Sequence, residues 1–173
     1  MNFYGVVNGC RLVLPEMVKR RRGHIINIAS VAGMLAVPGQ ALYAGTKFAV
    51  LGLSTALADE YAPAGVEVSC VMPTFTNTEL IAGTKTGGMT SPVEPEDIAA
   101  AVVKTLDKPK TAVTVPYSMR FIAAATAFLP PKGRRWLSAK TGTDRVFLDL
   151  DTSARAAYEQ RAQSATGVVE GQK

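Results

Sequence analysis

Three short runs limit what this chain can fold into: "HIINIAS" (24–30), "GVEVSCVMP" (65–73) and "TAVTVP" (111–116). Each is rich in β-branched residues and bounded by glycine, proline or polar positions, so each reads as a short buried strand. Helical patterns separate them. Residues 2–22 place Val6, Val7, Cys10, Val13, Leu14 and Met17 on one stripe, with Pro15 predicting a kink or break. A long Ala- and Leu-rich run spans Ala41 to Tyr61 and closes at Pro63 and Gly65. "SPVEPEDIAAAVVKTL" puts Pro95 in a first helical turn beside acidic residues, at the positive end of the helix dipole. Strands joined in turn by helices return parallel to one another, with helices on both faces of the sheet. The expected fold class is therefore α/β with a doubly wound parallel sheet, followed beyond Tyr117 by an Ala-rich helical extension.

The 173 residues are 47% apolar and 19% charged, which suits one domain with a core of its own. The tail from Gln160 has no apolar periodicity and is expected to fray. The net charge of +5 falls mainly in two clusters, Lys19–Arg22 and Lys132, Arg134 and Arg135 beside Trp136. The first ends a helical pattern just before Gly23, where cations complement the helix dipole, and no aromatics interleave it. Nucleic acid is therefore not an expected partner. Cys10 and Cys70 lie in segments that read as buried and look like reduced core thiols, which points to the cytoplasm. No uninterrupted apolar run approaches about eighteen residues, so no membrane-spanning helix is expected. No Cys, His and Asp cluster has metal-ligand spacing, and none is expected to hold a metal.

Ligands of open parallel sheets gather at the carboxyl ends of the strands. Ser30 ends the first strand there. Tyr43 and Lys47, four apart and so on one helix face, open the helix that follows. The segment after Pro73 leaves the second strand at the same edge. Singly these are weak signals: a Tyr-x-x-x-Lys pair is often only a helix face, and a serine at a strand end is often a turn former. Asn27 inside its strand reads as structural, and His24 beside a basic run reads as a surface residue.

Together with their flanking text, these residues resemble the catalytic half of the classical short-chain dehydrogenase/reductase family over roughly residues 1–117. The specific elements are Tyr43-x-x-x-Lys47, Ser30 thirteen residues before the tyrosine, and Pro73 with Thr78 in place of a Pro-Gly-x-x-x-Thr segment. The resemblance implies a partial Rossmann-like sheet retaining three strands, and an NAD(P)-dependent oxidoreductase interconverting an alcohol and a carbonyl. Tyr43 would be the general acid/base. A phenol with a pKa of about 10 is a poor base near neutrality, and an adjacent ammonium favours its ionised form. Lys47 would also bind the nicotinamide ribose. Ser30 would polarise the substrate oxygen, and Asn2 would hold a relay water, the less favoured reading of residue two being an N-cap. Pro73, Thr74, Thr76 and Thr78 would contact the nicotinamide carboxamide and pyrophosphate of NAD or NADP. The family's habit of pairing implies a homo-oligomer through helices 2–22 and 41–61.

The sequence departs from the family pattern in two places. Thr74 stands where glycine is usual. No strand followed by T-G-x-x-x-G-x-G is present, and the glycines of "GTKTGG" follow no strand. The expectation is a chain lacking its N-terminal half: residues 1–117 from the sheet domain, 118–159 a helical extension and 160–173 a tail. Such a chain would have an open apolar edge at its first strand, weak cofactor binding and little turnover alone. The alternative is a non-catalytic fragment serving as an interaction module. The loop from 77 to 92 and the C-terminal helices are expected to shape a fairly apolar substrate pocket. The run from Phe121 to Leu129 and the basic residues about Trp136 read as a cleft cap or oligomer contact. The less favoured reading is a peripheral membrane contact, with Trp136 at the headgroups and Arg134 and Arg135 facing anionic lipid.

Overall fold

The computed structural model describes residues 2–78, 81, 92–149, 156 and 160. The elements are α1 (Tyr4–Lys19), β1 (Gly23–Ile28), α2 (Ala41–Tyr61), β2 (Val66–Pro73), α3 (Pro95–Asp107), β3 (Ala112–Val115), α4 (Met119–Ala127) and α5 (Pro131–Thr141). The strands form one parallel sheet in the order β1-β2-β3. Gly23 pairs with Val66 at one end of the first ladder and Ile28 with Val71 at the other. Cys70 to Pro73 pair with Ala112 to Val115 in the second. The expected α/β parallel sheet is the fold observed.

β2 is the central strand, and its alternation sorts the helices onto two layers. On one side Cys70 and Met72 pack with Val50 of α2, while Val66 packs with Cys10 and Leu14 of α1 and Leu57 of α2. On the other, Val71 meets Val115 and the α3 residues Ile98, Ala101 and Val102. β2 is buried apart from Glu67. β1 differs from its expected burial on both faces: only Asn27 is buried, most of the strand is half-buried, and Ile28 is exposed. The physical reason is position, because among the described residues β1 has a ladder partner on one side only.

α1 runs unbroken through Pro15, so of the expected kink or break the break does not occur. Pro15 and Arg11 both lie on the exposed side of the helix, where water can satisfy the carbonyl that loses its amide partner. Gly65, at φ +75°, turns the chain from α2 into β2, and a Cβ there would lie 2.5 Å from the Arg21 carbonyl oxygen. No side chain fits that closure. α3 begins at Pro95 with the Asp97 carboxylate accepting from the Glu94 amide at 3.1 Å. Ala41–Ala64 is, contrary to expectation, long and apolar enough to cross a membrane by length and composition. Here it packs on β2 and the turn after β1, as a helix of the sheet. Of the 160–173 tail, only Gln160 lies within the described residues.

Candidate active site

The site is built on the carboxyl ends of β1 and β2. After Ile28 the chain passes through Ala29 to Ser30, which caps a short 3-10 helix at Val31–Gly33. The Ser30 hydroxyl accepts from the Ala32 amide at 3.1 Å and donates to the Pro73 carbonyl at 3.4 Å. One serine therefore ties the rim of β1 to that of β2. This hydroxyl also leads toward the segment that carries Thr74, Thr76 and Thr78.

Tyr43 and Lys47 lie in the first two turns of α2, both half-buried. The Lys47 ammonium sits 5.6 Å from the centre of the Tyr43 ring and donates to the Ile28 carbonyl at 3.3 Å. The last carbonyl of an edge strand thus anchors the lysine beside the phenol. Burial pulls the Lys47 pKa below its ordinary value, partly opposed by the charge of the nearby Cys70. The Cys70 thiol is pushed up by burial, against hydrogen bonding with Ser54, the attraction of Lys47 and a bond with the Ala29 backbone. A desolvated ammonium exerts a stronger field on its neighbours than a solvated one.

Gly33 has no obvious signal in the sequence, yet it sets the spacing of the whole cluster. A Cβ at this position would fall 2.7 Å from the Lys47 carbonyl oxygen. Only glycine lets the turn that presents Ser30 lie directly on the backbone of the helix that presents Tyr43 and Lys47. Asn27, behind the site, donates to the Ser54 hydroxyl at 2.9 Å and contacts the Cys10 sulfur at 3.9 Å. It pins β1 to α1 and α2, in keeping with a structural part.

Beyond β2, Pro73 is buried and the Thr74 amide donates to the Val115 carbonyl at 2.9 Å. The Thr74 hydroxyl oxygen is buried and has no hydrogen-bond partner among the described residues. Thr76 forms a bridge to Val93, and its hydroxyl donates to the Thr74 carbonyl at 3.4 Å. The Thr78 hydroxyl makes the same kind of contact to the Thr76 carbonyl at 3.4 Å. These three hydroxyls keep free acceptor capacity. Asn77 donates to both Glu94 carboxylate oxygens, at 3.0 and 3.2 Å, which holds the two ends of the expected substrate loop together. Most of that loop, 79–80 and 82–91, lies outside the described residues.

The structure does not gather every expected residue. Asn2 lies in the turn before α1 rather than within the helix; it is exposed and makes no hydrogen bond to Lys47. It is not the N-cap either, since that position belongs to Phe3. Sequence reasoning also missed the far wall of the rim. Phe147 stacks on Phe75 with ring centres 5.5 Å apart, and its backbone and Cβ crowd Gly39. No local pattern announces a contact between residues so distant in the chain. His24 is half-buried rather than superficial, with its Nε2 2.8 Å from the Ser69 hydroxyl.

The sequence profile of the short chain dehydrogenase family matches residues 1–87. The chain belongs to the short chain dehydrogenase family. A 3-ketodihydrosphingosine reductase of Bacteroides thetaiotaomicron is 43% identical over 105 residues, 61% of this chain and 38% of that protein. The oxidoreductase UcpA of Escherichia coli K12 is 36% identical over 107 residues, 61% of this chain and 40% of the relative. The chain thus spans about two-fifths of the length of the curated relatives it matches. Among solved structures, a short chain dehydrogenase of Burkholderia cenocepacia in complex with NADP is similar at a TM-score of 0.64 and 25% identity, over 81% of this chain and 57% of that one. A short-chain dehydrogenase of Sphingobium yanoikuyae in complex with NADPH gives 0.62 and 28%, over 80% and 53%.

The residues present fit the nicotinamide end of such a cofactor. The unpartnered, buried Thr74 hydroxyl and the under-used Thr76 and Thr78 hydroxyls offer an amide or phosphate what it needs. Lys47 adds a cation at the same rim. The sequence holds no strand leading into a T-G-x-x-x-G-x-G turn, so the described residues supply no equivalent cradle for the pyrophosphate.

Proposed function

We propose that this chain carries the proton-transfer and substrate-orienting part of an NAD(P)-dependent oxidoreductase that interconverts an alcohol and a carbonyl. The observation that carries the reading is the Lys47 ammonium held 5.6 Å from the Tyr43 ring by its bond to the Ile28 carbonyl, at the same carboxyl rim where Ser30 bonds the Pro73 carbonyl. When bound, NAD(P) supplies hydride exchange at the substrate carbon. Tyr43 gives or takes the proton at the substrate oxygen. Ser30 turns its hydroxyl from the Pro73 carbonyl to that oxygen, holding and polarising it. Lys47 keeps positive charge beside the phenol and offers its remaining N–H groups to the ribose. Thr74, Thr76 and Thr78 hold the carboxamide and pyrophosphate. Asn2 has a place in this reading as a water carrier only if its turn closes on Lys47.

The substrate class is a small alcohol or carbonyl of apolar character, because Phe75 and Phe147 line the rim beyond Thr74. The reading includes self-association through α1 and α2, which expose Leu12, Leu42 and Phe48. It also includes a reducing, cytoplasmic setting, in accord with the two buried free thiols.

One experiment with two arms tests the proposal. The 173-residue chain alone is titrated with NADH and NADPH, and weaker than micromolar binding is expected because the pyrophosphate cradle is not in this sequence. A chimera joining this chain to the part that it does not cover of the NADP-bound Burkholderia dehydrogenase is then assayed. Turnover is expected, and Tyr43→Phe should lower kcat by about 10²- to 10⁴-fold. Full activity of the phenylalanine variant would remove Tyr43 from the chemistry.

A further inference from the structure

The C-terminal helices present a surface that the proposed reaction does not use. Between Tyr117 and Thr143 the sequence contains Arg120, Lys132, Arg134, Arg135 and Lys140, with no Asp or Glu. α4 buries Met119, Ala123 and Thr126. Its opposite stripe, Phe121, Ala124, Ala125 and Phe128, is exposed at helical spacing, with Phe121 at 61% and Phe128 at 90%. After the Leu129–Pro130 break, α5 buries none of its residues. Lys132, Trp136 and Lys140 succeed one another four apart along it, with Trp136 63% exposed. The cations lie against the aromatics: Lys140 is 5.0 Å from the Trp136 ring centre, and the Arg120 guanidinium is 5.4 Å from that of Phe121.

Exposed aromatic rings interleaved with cations, and no anion among them, match the interface of an anionic bilayer. There the rings sit at headgroup level and the cations meet lipid phosphates and carboxylates. A second copy of the same face is disfavoured, because it would bring like charges together. A purely basic nucleic-acid surface would have no use for the exposed Phe128 beside Leu129. We propose that α4 and α5 form a peripheral docking surface for membranes rich in anionic lipid, independent of whether Tyr43 acts as assigned above. Phe128 and Trp136 are exposed among the described residues, and an oligomer contact through the same helices, the other reading of this segment, would appear in the test below as self-association through Trp136.

Trp136 is the chain's single tryptophan, so its fluorescence reports on this surface alone. The full chain is mixed with phosphatidylcholine vesicles with and without phosphatidylserine. The Trp136 emission is followed together with co-sedimentation. Binding with a blue shift is expected only where phosphatidylserine is present, and weaker at high salt. Arg134→Gln with Arg135→Gln should weaken it by roughly thirtyfold, from two surface cations lost. Both residues are exposed, so the variant keeps its far-UV circular dichroism. Lys19→Gln with Arg22→Gln, at the other basic cluster, should leave binding unchanged. No blue shift on anionic vesicles, or equal weakening by both double variants, would overturn the proposal. So would preferential binding of single-stranded oligonucleotide or self-association through Trp136.

Discussion

Lys47 shows how much of the site is decided by single atoms. Its ammonium is half-buried, bonded to an edge-strand carbonyl and set against a phenol, and each contact comes from a different element. Burial that weakens its own hold on a proton also sharpens its field at Tyr43. A residue outside the site carries the clearest pH signature. Burial pulls the His24 pKa below 6.5, partly opposed by Glu67. Because the folded state resists protonation, the unfolded chain takes up the proton first. Stability is therefore level above about pH 6.5 and falls as the pH drops from there through the lowered folded value. Urea melts at about pH 7.5 and about pH 5.5 should show this loss, and His24→Gln should shrink it. An unchanged difference would mean the imidazole is not the titrating group.

At the scale of elements, the site depends on how closely the 3-10 helix Val31–Gly33 lies on α2. Gly33→Ala forces a methyl against the Lys47 carbonyl, and backbone cannot yield as a side-chain end can. We expect about 1–3 kcal/mol of destabilisation in denaturant melts, by the usual cost of overpacking. In the chimera, the same substitution should reduce kcat through a displaced Ser30. A variant as stable and active as its parent would show that the turn has room to shift. α1 makes the converse point. Pro15 is tolerated because the Arg11 carbonyl that it leaves without an amide lies on the exposed side of the helix, so a helix breaker in the sequence does not break this helix.

The described residues present two unlike surfaces. One is the exposed apolar side of α1 and α2, with Leu42 at 90% exposure; the other is the basic, aromatic surface of α4 and α5. If α1 and α2 pair two copies, Leu12→Glu with Leu42→Glu should convert a sedimenting dimer to a monomer without loss of helix content. A parent that sediments as a monomer at tens of micromolar would rule that pairing out. Among the described residues β1 pairs with a strand on one side only, so its outer flank can accept another strand.

Periodicity is enough for the order of helices and strands and for the parallel sheet, while Ser30, Tyr43 and Lys47 stand out by a spacing that resembles the family pattern. Those rest on periodicity and on fixed spacings within short stretches, which survive being read one residue after another. The α2 limits and the β2 run were legible for the same reason. Only the tertiary structure decided that β1 is half-open, that Gly33 is a spacer, and that Phe147 returns to stack on Phe75. It also decided that Asn2 stands apart from Lys47 and that Phe128 and Trp136 face outward. Each of these depends on what lies across space from a residue. The close packing that sets such contacts leaves no periodic mark along the chain.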